Sequence, residues 1–208
     1  AVVVVFQPEL RRALEKLGEK QFWSGAVFFE KKGKENTKFS EATIDGIVRA
    51  SFEMGSVKTG ALIVVERETV LTEYERTGIP LDCIVPSQVL INIFEHNTPL
   101  HDGAIIVRGN RIVSATCYLP LSDNMQISKD LGTRHRAAIG MSEVSDAMII
   151  VVSEETGHVS IAEGGRLARN VTPEYLKQRI NALQNKELEI GGIKKIWKGR
   201  KKDERGTD

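Results

Sequence analysis

AIIVRGNRIVSATCYL, residues 104–119, decides the fold class. Two β-rich runs flank Gly109-Asn110, and a two-residue connection with glycine first is hairpin chemistry. GALIVVE (60–66) and AMIIVVS (147–153) are continuous apolar runs of strand length, the pattern of central strands buried on both faces. Gly157 turns AMIIVVS back into HVSIAEGG, a second hairpin. Two hairpins argue against a doubly wound parallel sheet. Helical stretches lie between these runs. Ser40 and Thr43 offer cap hydroxyls to EATIDGIVRASFEM, in which Ile44, Ile47, Val48 and Phe52 share one face. Pro86–Phe94 reads as a short helix opened by proline, LGTRHRAAIGMSEV as a helix capped by Thr133, and TPEYLKQRINAL as a helix capped by Thr172. Thr72–Pro80 is polar and reads as irregular or helical. The expected architecture is α/β: a single domain with a central mixed β-sheet flanked by helices on both faces.

Further out the chain is plainer. Pro8, Leu10, Ala13, Leu14, Leu17 and Gly18 predict a lead-in helix, residues 21–29 a short strand and 31–38 an exposed loop. The expected boundaries are 1–18 for the lead-in, 19–186 for the domain and 187–208 for a basic, flexible tail. Between Lys194 and Asp208 seven basic residues face three acidic ones, so the net charge of +1 conceals a slightly acidic body. Nothing in that body marks a duplex-binding surface, and no DNA partner is expected. The tail is either a solvated terminus or a segment drawn to an anionic membrane or a nucleic acid. The 208 residues are 41% hydrophobic and 27% charged, which excludes wholesale disorder. The longest apolar runs, 1–6 and 147–152, fall well short of the about 20 residues of a membrane-spanning helix, and signal-peptide anatomy is missing. Cys83 and Cys117 are too few for a disulfide framework, and reduced thiols in a cytosolic setting are expected.

Several familiar sites are absent. GSVKTG (55–60) lacks the Gly-Lys-Ser/Thr of a P-loop, and no GxGxxG, HExxH, GxSxG or CxxC occurs. Cys83, His96, His101 and Cys117 have no zinc-ligand spacing. Two stretches are chemically dense. NTPLHDGAIIV sets Asp102 and Gly103 immediately before a strand. A carboxylate at a strand end, beside a glycine that admits a ligand, suits a metal-nucleotide site; a plain Asp-Gly turn is the alternative. GTRHRAAIG puts Arg134, His135 and Arg136 in the first turn of a helix. Cations are unfavourable at that end of the dipole unless an anion sits there. Arg134 and Arg136 stand roughly 200° apart around a helix, so only a large branched anion such as a triphosphate takes both. Surface arginines paired with Glu143 or Asp146 are the alternative. Together the two stretches point to a metal-assisted phosphate site.

The pair LHDGAIIV and GTRHRAA resembles the DGA and RHR signatures of the diadenylate cyclase (DAC) domain family. The resemblance runs from about Gln7 to Leu183 and takes in FQPELRRALE, GALIVVE and VVSEETG. The lead-in is similar to that of the membrane-anchored CdaA/DacA type, which makes AVVVVF the expected stub of a transmembrane helix. The resemblance implies a nucleotidyltransferase that condenses two ATP into cyclic di-AMP with release of two pyrophosphates, using Mn²⁺, Mg²⁺ or Co²⁺. Each protomer of a face-to-face homodimer is expected to hold one ATP, and each 3′-hydroxyl to attack the other α-phosphate. It further implies a position at the cytoplasmic face of the cell membrane, the 208 residues themselves being soluble, with a YbbR-domain regulator and phosphoglucosamine mutase as partners. A non-catalytic nucleotide-binding regulatory module of the same fold is the alternative; the intact Asp102 and the TRHR run argue against it.

The roles the resemblance implies are residue-specific. Asp102 orients the 3′-hydroxyl with the help of metal, because a free aspartate is too weak a base for an alcohol. Gly103 and Ala104 admit the nucleotide. Thr133, Arg134, His135 and Arg136 bind phosphates and offset charge at the α-phosphate and leaving pyrophosphate. Ser153 and Glu155 lie near phosphate and metal, with Glu155 acting across the dimer. His101 is a candidate metal ligand, although neighbours in a regular strand point to opposite faces. Tyr118 is a candidate adenine-stacking residue with the Leu119 backbone reading the base; a core tyrosine is the alternative.

Overall fold

The computed structural model describes residues 38–124, 127, 128 and 131–183. The lead-in helix, the strand at 21–29, most of the 31–38 loop and the basic tail lie outside the described residues.

Ser40 opens the first described helix, α1 (Glu41–Ser56), with its hydroxyl accepting the Thr43 amide at 3.2 Å. Asn110 Oδ1 accepts from the Ser40 amide at 2.7 Å and from the Thr43 hydroxyl at 2.9 Å. The start of α1 is thereby tied to the turn of the central hairpin. Ile44, Ile47, Ala50 and Met54 form the buried face of α1, spaced as one side of a helix requires. The order continues with β1 (Ala61–Val65), α2 (Thr72–Glu75), β2 (Ile79–Ile84), α3 (Ser87–Phe94), β3 (Ala104–Arg108) and β4 (Arg111–Cys117). It ends with α4 (Thr133–Val144), β5 (Met148–Val152), β6 (Val159–Glu163), β7 (Arg166–Ala168) and α5, helical over 173–183.

Among the described residues seven strands lie in the order β2-β4-β3-β1-β5-β6-β7. Only β1 and β3 run parallel, joined by the crossover through α2, β2 and α3; every other neighbouring pair is antiparallel. The sheet is mixed, as the two hairpins require. Strand alternation divides the core. Ile63, Val65, Ile105, Val107, Ile150 and Val152 pack under α1, α3 and α5. Leu62, Val64, Ile106, Ile149 and Val151 pack under α4, through Ala137, Ala138 and Met141. Both faces are covered, so β1 and β5 are buried along their whole length.

Three local readings are corrected. Thr72–Pro80 holds the short α2 and then the beginning of β2, an edge strand whose register breaks between Pro80 and Cys83. Proline and a left-handed Asp82 (φ 48°) hide a strand from pattern reading and are tolerated because it is at the sheet edge. Past HVSIAEGG the chain makes a further hairpin through Gly164-Gly165 into the three-residue β7. Thr133 is the first residue of α4, not its cap: Gly132 occupies the cap position and no side chain satisfies the free amides there. Thr172 does cap the last helix, accepting the Tyr175 amide at 3.2 Å.

A partly buried ion cluster braces the far end of β1 and β3. Glu66, 2% exposed, receives Arg108 at 2.6 Å and 3.0 Å and the Leu71 amide at 3.0 Å. Arg108 also reaches Glu75 at 2.6 Å. Hydrogen bonding to these carboxylates holds the guanidinium well above its ordinary pKa and pins α2 to the sheet.

Candidate active site

β1 and β3 begin, and β5 ends, at one edge of the sheet, because β5 runs antiparallel to β1. The N-terminus of α4 points to the same edge. Gly140 keeps α4 close to the segment that follows β4: a Cβ there would lie 2.3 Å from the Pro120 carbonyl oxygen. The Ser122 amide donates to the Arg136 carbonyl at 3.1 Å, and the Ser122 hydroxyl to Glu143 at 2.7 Å. These contacts bring three backbone ends together around a cavity of about 760 Å³, within the roughly 300–1,000 Å³ of small-molecule sites.

Each wall has a local cause. The Asp102-Gly103 bend leads into β3, with Gly103 at φ 104°. A Cβ there would lie 2.8 Å from the Thr116 carbonyl carbon and 2.9 Å from its Cα. Thr116 is itself left-handed (φ 55°), and the β3–β4 register shifts between Ala104 and Ile106. This bulge requires glycine at 103 irrespective of a nucleotide, a reason sequence reading did not give. The bulge turns Tyr118 out. Its side chain is 73% exposed at the cavity mouth, which excludes the core-tyrosine reading. The Tyr118 amide donates to Thr77 Oγ1 at 2.9 Å, and that hydroxyl donates on to the Tyr74 carbonyl at 2.6 Å. The opposite wall is the turn after β5. There the Ser153 hydroxyl accepts the Thr156 amide at 3.2 Å and the Ser153 amide donates to the His158 carbonyl at 3.0 Å.

The cavity gathers Asp102, Gly103, Tyr118, Leu119, Thr133, Arg134, His135, Ser153 and Glu155 from the sequence-derived set. Three others are not on its wall. Ala104 is fully buried in the sheet opposite Cys117. Arg136 is not among the lining residues, and its carbonyl binds Ser122. His101 Nδ1 lies 2.6 Å from the Thr98 carbonyl oxygen, and its ring meets His96 edge-on. Sequence reading missed Glu154, Arg169 and Asn170. Glu154 adjoins the VVSEETG turn and was within reach; Arg169 and Asn170 follow a strand that was not recognised.

The electrostatics are specific. Arg134 Nη1 donates to Glu154 Oε2. The pairing with Glu143 or Asp146 is thus corrected: Glu143 receives Ser122, and Asp146 accepts the Glu68 and Thr69 amides at 3.1 and 3.2 Å. His135 is held below the ordinary imidazole value, chiefly by burial and then by the nearby Arg169 charge, with Glu155 opposing. It is a neutral hydrogen-bonding group at pH 7. Burial pushes the Cys117 thiol up, leaving a weak nucleophile. Among the described residues, Asp102, Glu154 and Glu155 share the cavity wall with two guanidiniums, Arg134 and Arg169. Among the described residues no group of three or more His, Cys, Asp or Glu forms a protein-only metal cage. One or two carboxylates that leave room for phosphate oxygens are the usual set for a small hard cation, and Asp102 with Glu155 fits it.

Residues 48–167 match the family described as DisA bacterial checkpoint controller nucleotide-binding, DAC. The chain belongs to the DAC family. This DAC chain is 48% identical to the cyclic di-AMP synthase CdaA of Bacillus subtilis (strain 168), over 97% of its own length and 72% of the relative's. It is 47% identical to a diadenylate cyclase of Listeria monocytogenes serotype 1/2a (strain 10403S), over 98% and 72%. Its fold is similar to a crystal structure of a double-mutant DacA from Staphylococcus aureus, with a TM-score of 0.68 and 46% identity over 69% of this chain and 96% of that one. A hypothetical membrane spanning protein from Bacillus cereus aligns with a TM-score of 0.61 and 46% identity, over 64% and 65%. In this DAC chain no described helix is long and apolar enough to cross a membrane.

Proposed function

We propose that the chain is a diadenylate cyclase, with the domain at 19–186 joining two ATP into cyclic di-AMP and releasing two pyrophosphates. The observation that carries the reading is the facing of Asp102 and the Thr133–His135 helix start across one cavity. Each 3′-oxygen forms a bond to the α-phosphorus of the other ATP, the bond to pyrophosphate breaks, and the hydroxyl proton passes to solvent water. Asp102 orients the 3′-hydroxyl. The free amides at the start of α4, Arg134 and neutral His135 hold phosphate oxygens where negative charge grows. Tyr118 offers its exposed ring to the adenine, and Leu119 its backbone. A divalent ion (Mn²⁺, Mg²⁺ or Co²⁺), held by Asp102 and Glu155 with the phosphates, would supply Lewis-acid polarisation and lower the hydroxyl pKa. His101 is held through Nδ1 by the Thr98 carbonyl, which leaves Nε2 as the nitrogen it would offer an ion.

Among the described residues Asp102 and the start of α4 line one shared cavity, so the symmetric reaction uses two chains related by a two-fold axis. By family likeness the activity is placed at the cytoplasmic face of the cell membrane. The YbbR-domain regulator and phosphoglucosamine mutase are partners by family likeness.

The test is incubation with ATP and each ion, followed by chromatography for cyclic di-AMP. Asp102→Asn is expected to abolish product while ATP binding is nearly retained, because the shape stays and the charge goes. Turnover by this variant within roughly tenfold of wild type sinks the assignment.

A further inference from the structure

We infer that Arg169 is a phosphate-binding residue of this site, supplying the second guanidinium that the helix start assigns to Arg136. The inference rests on the nucleotide reading above and adds a residue beyond the 48–167 span of the family match.

The reasoning begins with a mismatch. Two arginines in one helical turn imply two cationic contacts to the anion, yet only Arg134 faces the cavity. Arg136 lies roughly 200° away around the helix and is not among the residues that line the cavity. The register of the β6–β7 hairpin supplies the replacement. Ile161 pairs with Ala168 and Ala162 with Leu167, so the next antiparallel step sets Ser160 opposite Arg169. Cross-strand neighbours share a face of the sheet, and Ser160 and Arg169 both line the cavity. The backbone is anchored on either side of Arg169. Before it, Ala168 is paired in the sheet; after it, the Val171 amide donates to the Val159 carbonyl at 2.9 Å. Between these anchors Asn170 takes a left-handed bend (φ 50°).

Charge points the same way. Arg134 is already committed to Glu154. Arg169 makes no hydrogen bond or ion pair with any described residue, although Glu154 and Glu155 line the same cavity. It is the one guanidinium on the wall without a carboxylate partner among the described residues. Its charge nevertheless reaches the helix start, because it is felt at His135. An exposed planar fork without a carboxylate partner, on the wall of the same cavity as free helix amides, suits a phosphate.

The experiment is titration calorimetry of the full 208-residue chain with ATP and, separately, with adenosine, both in Mg²⁺. Arg169→Ala is expected to weaken ATP binding on the order of tenfold, the loss of one charge-assisted contact, and to leave adenosine binding unchanged. Arg169→Lys recovers part of the loss, and Arg136→Ala loses less than Arg169→Ala. The apo melting temperature stays within about 2 °C, because no partner is lost. A loss below about twofold for ATP, or an equal loss for adenosine, overturns the inference. Wild-type protein that binds ATP but makes no cyclic dinucleotide refutes the cyclase reading instead, and the binding comparison still decides the role of Arg169.

Discussion

Gly103→Ala separates two accounts of the DGA signature. If the glycine serves only to admit a nucleotide, the free protein is indifferent to a methyl group there. The geometry says otherwise. The Cβ would sit 2.8 and 2.9 Å from two backbone atoms of Thr116 and 3.1 Å from the Cys117 carbonyl oxygen, none of which is the end of a flexible side chain. The φ of 104° is also one that L-residues rarely adopt. Holding alanine in a sparsely populated backbone region costs about 1–3 kcal/mol, and forcing extra volume into a packed site costs about 1–3 kcal/mol more. A total of about 4 kcal/mol lowers the melting temperature of a domain of this size by roughly 8–16 °C. Differential scanning fluorimetry of wild type and variant, without nucleotide or metal, measures it. An apo shift below about 2 °C, with ATP affinity alone reduced, would refute the bulge argument and return Gly103 to a purely ligand-facing role.

Other tests are simpler. Thr77→Val leaves the Tyr118 amide without its acceptor and is expected to cost about 1 kcal/mol of stability; adenosine binding should weaken, and Thr77→Ser should restore both, while unchanged adenosine affinity would remove Thr77 from the positioning of Tyr118. His135 gives a pH signature. Its folded pKa lies below the ordinary 6.5, so the unfolded chain binds more protons in the window beneath that value, and stability falls as pH drops through it. His135→Gln should lose less melting temperature than wild type between about pH 7.5 and pH 5; equal losses would mean that the imidazole titrates alike in both states.

The parts of the fold legible in the sequence carry their own local cause. Ser40 announces α1 because a hydroxyl at that position satisfies a free amide. β1 and β5 announce themselves because strands covered on both faces must be apolar throughout. Gly109-Asn110 announces the central hairpin. β2 was hidden because an edge strand tolerates Pro80, Asp82 and a register break, and β7 because three residues, two of them exposed, hold no period. The site divides along the same line. Asp102 and Arg134 are readable where they stand, since a carboxylate at a strand entry and a cation at a helix N-terminus are both locally unexplained. The choice between Arg134 and Arg136 depends on which side of α4 faces the sheet edge. Arg169 depends on a cross-strand register, which couples residues far apart in sequence. The true neighbour of Gly103 is a bulge more than ten residues further along the chain, and no local pattern names it.

The Arg134–Glu154 pair also bears on how the site responds to its solution. On the function proposed above, Arg134 exchanges its carboxylate partner Glu154 for a phosphate when the nucleotide arrives, one ion pair for another. Dissolved salt screens both pairs, and the two effects offset. The ionic-strength dependence of ATP affinity then falls mainly on Arg169, which has nothing to give up. A cavity with two arginines thus answers changes in ionic strength as though it had one.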